Sequence, residues 1–333
     1  MQTRFFANTG VQVSKLAFGT MSFGSDADRS TSAALFAACR DAGVNLFDCA
    51  DIYNGGRSEE ILGELIAPCR DEVVLTSKAY FPTSKDVNSA GASRYHLVRA
   101  VEASLKRLKT DRIDVYFVHR FDECTDLEQT LRALDTLVAQ GKILYPALSN
   151  FAAWQAQQAV SLADRHGLAR PVCVQPMYNL LKRQAEVEIL PQARAEQLAV
   201  MPYSPLAGGL LSGKYGRDRR PDQGRLTSNR MYQARYAEPD YYAIAERFTD
   251  LAKQRSTHPA ALAIAWVAAH PAVTSPILGA RNVEQLQSCL TAAELEVDPA
   301  LHEEIAALSP APPPATDRSE EGGEHDALAR KMG

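Results

Sequence analysis

Four residues that can donate, hold or stabilise a proton lie at or just beyond the ends of apolar segments: Asp48, Tyr53, Lys78 and His119. The segments are VNLFDCADIY, VVLTSK and DVYFVHR, and their composition is typical of buried strands. In a barrel of alternating strands and helices, the carboxyl ends of the strands converge on one face, where the chemistry takes place. We therefore expect the four side chains to meet.

The four residue types together predict a proton donor suited to carbonyl reduction. A phenol has an ordinary pKa of about 10, and a neighbouring ammonium lowers it by favouring the phenolate. Lys78 is predicted to supply the ammonium, Asp48 to keep it charged and oriented, and His119 to fix a substrate carbonyl oxygen beside the Tyr53 hydroxyl. Each residue alone is more often a packing or surface residue, but the set on successive strand ends favours an active site.

The segments that position these residues alternate between two patterns along the chain. Five amphipathic stretches, from STSAALFAACRDAG to AAWQAQQAVSLADRHG, have apolar residues at helical spacing. Near-continuous apolar runs are expected of parallel strands buried on both faces. The eight such runs are KLAFGT, VNLFDCA, VVLTSK, DVYFVH, ILYPALSN, VCVQP, AVMPYSP and SPILGA. This alternation predicts a (β/α)8 TIM barrel rather than a doubly wound sheet.

Three further segments complete the predicted architecture. RFFANTGVQVS, with a turn at Asn8-Thr9-Gly10, predicts an N-terminal β-hairpin that closes one end of the barrel. Residues 206–240 predict a long loop that folds over a ligand. The tail is Pro-rich and acidic, and we expect it to be mobile. The sequence thus predicts a single barrel domain at 1–308 and a separate tail at 309–333.

Composition and charge exclude several classes of protein. The 333 residues are 46% hydrophobic and 23% charged, which is typical of a folded globular protein. A net charge of -4, without a dense basic run, argues against nucleic acid as a partner. The longest apolar run, Ala260 to Ala269, is half a membrane span, and MQTRFF lacks a signal core. We expect a soluble cytoplasmic protein; the sequence does not predict its oligomeric state.

The six cysteines form neither a C-x-x-C pair nor a Cys-His set at metal spacing. They therefore predict free thiols in a reducing compartment and no metal site. Cys49 lies next to Asp48, but a small buried apolar side chain is the interpretation that we favour for it.

The order of the motifs resembles the aldo-keto reductases over essentially residues 1–308. The matching segments are FDCADIYNGGRSEEILGE, VVLTSK, IDVYFVHR, LSNF, VQPMYN, YSPLAGGLLSGKY and PILGARNVEQL. The resemblance implies a (β/α)8 barrel that holds NADPH without a Rossmann domain and passes a hydride to an aldehyde or ketone. It also implies that Asp48, Tyr53, Lys78 and His119 form the catalytic tetrad, with Tyr53 as general acid.

The resemblance also implies how NADPH would be held. Ser149, Asn150 and Gln175 are expected to clamp the nicotinamide carboxamide, and Tyr203 to stack on its ring. Arg281, at the start of a helix, is expected to contact the 2'-phosphate, because a guanidinium binds phosphate in a bidentate manner. The full set of expected cofactor-binding residues is Gly19, Thr20, Met21, Asp48, Ser149, Asn150, Gln175, Tyr203, Ser204, Leu206, Lys214, Gly279, Arg281 and Gln285.

Two other functions have partial support in the sequence. GGLLSGK has the spacing of part of a P-loop, but Tyr215 stands where a Ser or Thr would bind Mg²⁺, so an ATPase is not expected. A regulatory subunit that binds the cofactor but turns over little substrate, similar to the potassium-channel β subunits, stays open as an alternative. The sequence does not identify the carbonyl substrate; Arg120, beside His119, is either a contact for anionic substrates or part of a structural salt bridge.

Overall fold

Ten strands form in residues 1–222 and 224–317, the part of the chain that the computed structural model describes. They are β1 (Thr3–Phe5), β2 (Gln12–Ser14), β3 (Ala17–Gly19), β4 (Leu46–Asp48), β5 (Val74–Ala79), β6 (Ile113–Val118), β7 (Ile143–Ser149), β8 (Cys173–Gln175), β9 (Ala199–Val200) and β10 (Ile277–Leu278). All eight strands predicted from apolar runs are present as β3 to β10. Their residues are almost all buried, as expected for strands covered on both faces.

The eight strands form one parallel sheet in the order β10-β3-β4-β5-β6-β7-β8-β9. The two outermost strands in this order, β10 and β9, are connected by hydrogen bonds between residues outside the regular strands. The amide groups of Thr274 and Ser275 donate to the carbonyl oxygen of Val200 at 2.9 and 3.2 Å, and that of Ile277 donates to the carbonyl oxygen of Pro202 at 2.9 Å. These bonds connect β9 to β10, and the predicted (β/α)8 barrel is confirmed.

Helices follow the strands of the sheet, and most of them lie on its outside. They are α1 (Arg29–Asp41), α2 (Arg57–Ile66), α3 (Arg94–Leu108), α4 (Leu127–Ala139), α5 (Ala153–His166), α6 (Ile189–Ala195), α7 (Arg225–Ser228), α8 (Arg230–Arg235), α9 (Asp240–Gln254), α10 (Pro259–Ala269), α11 (Val283–Leu290) and α12 (Pro299–Ala306). The five predicted amphipathic helices correspond to α1 to α5. None of the helices in the described ranges is both long and apolar enough to cross a bilayer.

The N-terminal hairpin closes one end of the barrel, as predicted. β1 and β2 pair antiparallel. Phe6 and Val13, from the hairpin, are buried in the same apolar cluster as Leu46, Val115 and Phe117 from the barrel strands. Burial of these side chains stabilises the closed end, at about 1.5–3 kcal/mol for each large apolar side chain.

Close packing of α2 against α3 depends on a glycine. A Cβ atom built on Gly63 would lie 2.5 Å from the carbonyl oxygen of Leu108, at the end of α3. This is shorter than any ordinary contact of a Cβ atom. The position therefore accepts only glycine without a shift of one helix.

The long loop is more regular than predicted, and the tail is described only in part. Residues 206–240 contain a 3₁₀ helix at Ala207–Ser212 as well as α7 and α8. After α12 the guanidinium of Arg183 donates to the carbonyl oxygens of Ala306 and Ser309, at 2.9 and 3.3 Å. The predicted mobile tail lies outside the described residues from position 318 onward, and the division at 308/309 stays a proposal.

Candidate active site

A buried ion pair joins the ends of β4 and β5. The Nζ atom of Lys78 lies 2.6 Å from Oδ2 of Asp48 and also donates to the carbonyl oxygen of Cys49 at 2.7 Å. The other carboxylate oxygen, Oδ1, accepts from Thr76 Oγ1 at 2.7 Å and from Gln175 Nε2 at 3.0 Å. Because Asp48 is fully hydrogen-bonded, the pair can be kept charged despite its burial.

Lys78 is entirely buried beneath the site. Burial is the largest single influence and disfavours its ammonium form, but the charge of Asp48, the neighbouring Tyr53 and the hydrogen bond to Asp48 together outweigh burial and raise the pKa of Lys78 above its ordinary value. The ammonium is therefore maintained at neutral pH.

Tyr53 lies next to this ammonium. Its hydroxyl is 3.5 Å from Nζ of Lys78, and the ammonium is 5.1 Å from the centre of its ring. The backbone turns sharply after Tyr53, with positive φ at Asn54 and Gly55. The side-chain amide of Asn54 donates to the carbonyl oxygens of Met21 and Phe23 at 2.9 and 2.7 Å, which fixes this turn against the loop after β3.

The pKa of Tyr53 differs from the sequence prediction. Burial raises it to about 12, and the opposing charge of Lys78 only reduces this shift. The sequence predicts the opposite direction, a pKa lowered by the ammonium. The difference arises because burial of the phenol, which removes water from the phenolate, depends on the whole surrounding structure.

His119 follows β6 and faces both aromatic rings of the site. Its ring centre lies 6.2 Å from that of Tyr53 and 5.0 Å from that of Phe81, edge to face in both cases. Burial, with a smaller contribution from the charge of Lys78, lowers the pKa of His119 to about 3. The imidazole is therefore neutral at physiological pH. Its Nδ1 atom is buried without a hydrogen-bond partner among the described residues.

The ends of β7 and β9 are linked to His119 through one amide. Asn150 Nδ2 donates to the carbonyl oxygen of His119 at 2.9 Å and to Ser149 Oγ at 3.0 Å. Asn150 Oδ1 accepts from the hydroxyl of Tyr203 at 2.7 Å. The amide of Asn150 is thus engaged within the protein, as Nε2 of Gln175 is with Asp48. These contacts hold Tyr203 and Ser149 in place at the edge of the cleft.

A cleft of about 1210 Å³ extends over the face at the carboxyl ends of the strands, from Asp48, Tyr53 and His119 to Arg281, and Lys78 lies beneath it. It is larger than most small-ligand sites, which measure roughly 300–1,000 Å³. The expected cofactor residues that line it are Gly19, Met21, Asp48, Ser149, Asn150, Gln175, Tyr203, Ser204, Leu206, Lys214, Gly279, Arg281 and Gln285.

Thr20 does not line the cleft, contrary to expectation. It is fully buried; its hydroxyl donates to the carbonyl oxygen of Asp48 at 3.1 Å and accepts from Ser58 Oγ at 2.9 Å. Its neighbours along β3 and the following turn, Gly19 and Met21, face the cleft instead. Thr20 therefore supports the loop after β3 from behind.

Arg225 is a lining residue that the sequence analysis missed. One terminal nitrogen of its guanidinium lies 4.0 Å from the position that a Cβ atom on Gly279 would take. Arg225 thus reaches from α7 across the cleft to the segment that carries Arg281. The basic stretch RDRRPDQGR was visible in the sequence, but which of its arginines enters the cleft depends on the path of the loop.

A second buried cluster of charges lies behind Tyr53. Glu59 accepts from Ser77 Oγ at 2.6 Å and from Arg107 Nε at 2.7 Å. Asp51 is also buried, and neither of its carboxylate oxygens has a hydrogen-bond partner among the described residues. Burial, reinforced by the charge of Glu59, raises the pKa of Asp51 to about 7. Asp51 is therefore largely protonated below neutral pH.

Comparison with known proteins agrees with this geometry. The model of the Aldo/keto reductase family matches residues 15–310. The chain belongs to the aldo/keto reductase family. For this aldo/keto reductase, the resemblance noted from the sequence is thereby confirmed.

Three relatives show the range of proteins within the family. The chain is 38% identical to an uncharacterized oxidoreductase, YrpG, of Bacillus subtilis over 94% of this chain and 97% of that protein. It is 36% identical to a probable voltage-gated potassium channel subunit beta of Oryza sativa, covering 92% and 94%. It is 31% identical to versiconal hemiacetal acetate reductase of Aspergillus parasiticus, covering 90% and 94%. Membership of the family, together with the two relatives named as an oxidoreductase and a reductase, supports carbonyl reduction in general, and the family generally uses nicotinamide cofactors.

Proposed function

We propose that this aldo/keto reductase reduces an aldehyde or ketone to an alcohol with NADPH, and that Tyr53 is the general acid. The observation that carries the proposal is the position of the Tyr53 hydroxyl, 3.5 Å from the buried ammonium of Lys78 and on the wall of the large cleft. NADPH, when bound, supplies a hydride for the carbonyl carbon.

Tyr53 provides the proton that the reduced carbonyl oxygen needs. With a pKa of about 12 the phenol is fully protonated at neutral pH, so the donor form is always present. As the proton leaves, negative charge develops on the phenolic oxygen. The Lys78 ammonium stabilises this charge at the moment of transfer, and Asp48 keeps the ammonium in position. The cluster therefore favours the reaction without ionising Tyr53 in advance.

His119 orients the substrate. Because its pKa is lowered to about 3, it remains a neutral imidazole with one N–H group that can donate a hydrogen bond. A carbonyl oxygen held between this group and the Tyr53 hydroxyl is polarised and placed for protonation. A neutral donor also avoids a second cation beside Lys78.

The cleft fits a dinucleotide phosphate. Lys214, Arg225 and Arg281 place cationic groups along the wall of the cleft away from His119, called here the far wall. Gly279, which has no side chain, leaves this wall open to a ligand. Arg281 precedes α11, whose N-terminal amides favour phosphate. We propose that Arg281 binds the 2'-phosphate and so favours NADPH over NADH, and that Tyr203 stacks on the nicotinamide.

Replacement of Tyr53 tests the proposal directly. Tyr53→Phe removes the donated proton but keeps the ring, so kcat should fall by about 10²–10⁴, whereas NADPH binding stays near wild type. Tyr95→Phe, in α3, is the matched control because Tyr95 is exposed and outside the cleft. NADPH binding is measured by fluorescence titration and turnover by absorbance at 340 nm. Near wild-type turnover of Tyr53→Phe would contradict the assignment.

A second function is suggested by relatives that are named as potassium channel β subunits. The rice protein named as a probable potassium channel β subunit covers almost the whole chain. A regulatory subunit of this kind would bind the cofactor and consume little of it. A panel of aldehydes and ketones offered with NADPH separates the two functions: stoichiometric bound cofactor without multiple turnovers would favour the subunit.

A further inference from the structure

Two arginines line the reacting end of the cleft without serving any function assigned above. Arg120 follows His119 at the end of β6, and Arg235 ends α8. The guanidinium of Arg235 lies 5.9 Å from the ring centre of Tyr203 and 5.2 Å from that of Tyr232. Aromatic rings at these distances orient a guanidinium without neutralising it.

Neither arginine has an acidic partner in the described part of the chain. No carboxylate there lies within 4.0 Å of a guanidinium nitrogen of Arg120 or Arg235, although many other arginines of the protein are paired in this way. Asp26, Asp48 and Glu284 also line the cleft. The charge of Asp48 is matched by Lys78, and neither of the other two carboxylates lies within 4.0 Å of a guanidinium nitrogen of Arg120 or Arg235. The salt-bridge interpretation of Arg120 that the sequence left open is therefore not supported by the described residues.

Arg120 and Arg235 differ in position from the cations on the far wall, although Arg235 shares the ring of Tyr232 with Arg225, whose guanidinium lies 5.3 Å from the ring centre. Arg225 is placed by its approach to Gly279, next to Arg281. Arg120 and Arg235 instead belong to the side that carries His119. Arg120 is its chain neighbour, and Arg235 lies against Tyr203, which is linked to His119 through Asn150.

Positive charge in a concave site is concentrated more strongly than on a flat surface, because the protein walls focus the field. An anionic group that approaches the reacting end meets two guanidinium groups that form no ion pair within the described part of the chain. Each can bind a carboxylate or a phosphate in a bidentate manner.

We propose that the substrate is a carbonyl compound that carries a carboxylate or phosphate, and that Arg120 and Arg235 bind this group. The inference rests on the proposed function, since it concerns the substrate that Tyr53 protonates. Arg120 and Arg235 are then specificity-determining residues, whereas Tyr53 and His119 act on the carbonyl oxygen.

Matched substrate pairs test the inference. We compare 4-carboxybenzaldehyde with benzaldehyde, and glyceraldehyde 3-phosphate with glyceraldehyde, so that the two pairs distinguish carboxylate from phosphate. In at least one pair, kcat/KM for the anionic member should be roughly 10–100-fold higher, the value of a charged hydrogen bond. Raising the ionic strength should reduce the preference.

Variants locate the effect. Arg120→Met and Arg235→Met should each lower the ratio of kcat/KM for the anionic substrate to that for the neutral one. A general loss of activity or stability does not change this ratio, because both substrates are measured on the same variant. Arg230→Met is the control, since Arg230 is exposed in the same helix as Arg235 and does not line the cleft. It should keep the wild-type ratio. A ratio near one in the wild type, or an unchanged ratio in both cleft variants, would overturn the inference.

Failure of the proposed function has a different signature. Turnover of neutral aldehydes without a preference for anions contradicts only the anion site. If no aldehyde is turned over, calorimetry can still test the anion site. 4-(Hydroxymethyl)benzoate and benzyl alcohol are each titrated into the protein, and their affinities are compared. Tighter binding of the anion that is lost in Arg120→Met and Arg235→Met supports the site, and equal binding of the two probes refutes it.

Discussion

Asp51→Asn should stabilise the protein relative to wild type, and the gain should increase with pH. Asp51 is buried without a hydrogen-bond partner among the described residues, and its pKa in the folded protein is about 7. In the unfolded chain an aspartate has a pKa of about 3.9. Between these values the folded state keeps a proton that the unfolded state has lost. Stability therefore is greatest below the unfolded pKa and falls as the pH rises through the folded pKa.

The magnitude follows from the pKa difference. One pKa unit corresponds to about 1.4 kcal/mol, so a shift of roughly three units corresponds to about 4 kcal/mol over the whole range. From pH 5 to pH 8 the wild type should lose about 2.5 kcal/mol relative to Asp51→Asn. Burial is the main cause of the raised pKa of Asp51. Among the charged groups near it, Glu59 raises this pKa further, whereas Arg107 and Lys78 lower it.

Urea unfolding at pH 5, 6.5 and 8 measures this change. The difference in unfolding free energy between Asp51→Asn and wild type should grow across the series, while the m-value stays constant. Asp41→Asn is the control, because Asp41 is exposed at the end of α1 and its replacement should give no comparable trend. Any packing cost of the asparagine is the same at each pH. A difference that does not vary with pH would refute the reasoning, since Asp51 would then titrate as in the unfolded chain.

Three further predictions concern the cofactor, the helix packing and the tail. Arg281→Ala should weaken NADPH binding by about 1.5–3 kcal/mol and leave NADH nearly unchanged in fluorescence titration; equal losses would show that Arg281 supports the fold instead. Gly63→Ala should destabilise by about 1–3 kcal/mol in urea unfolding, because its methyl group would overlap the carbonyl oxygen of Leu108; an unchanged midpoint would mean that α2 shifts freely. A chain that ends at Pro310 keeps both carbonyl groups that Arg183 contacts. Its melting temperature should match that of the full chain, and a large drop would show that the tail packs on the barrel.

The barrel was predictable because its strands have a strong local signal. A parallel strand buried on both faces needs a continuous apolar run, so even β9 and β10, of two residues each, lay within recognisable segments. Helices with one apolar face were predictable for the same reason. The two helices α7 and α8 were not, because they are short and polar and lie in a stretch that contains glycine and proline.

The candidate site was predictable in its residue types but not in its energetics. Strand-end positions brought Asp48, Lys78 and Tyr53 together, and the charge of Lys78 followed from Asp48. The pKa of Tyr53 was predicted in the wrong direction, because a sequence shows which charge is near but not how much water is excluded. Thr20 was misplaced because neighbouring residues after a strand point in opposite directions, and the sequence does not specify which one faces the cleft. The roles of these residues stay predictions until the variants are measured.

The junction between β9 and β10 determines the stage of synthesis at which the barrel loses its open strand edges. β10 pairs with β3, so the last strand of the sheet contacts the first across almost the entire barrel sequence. Until residue 278 has left the ribosome, β3 and β9 are both open strand edges, which are prone to pair with other chains. Contacts at such long sequence separation also form late, because closing the intervening loop costs entropy. A nascent chain that stalls before β10 therefore carries two aggregation-prone edges, and a strand of two residues removes both.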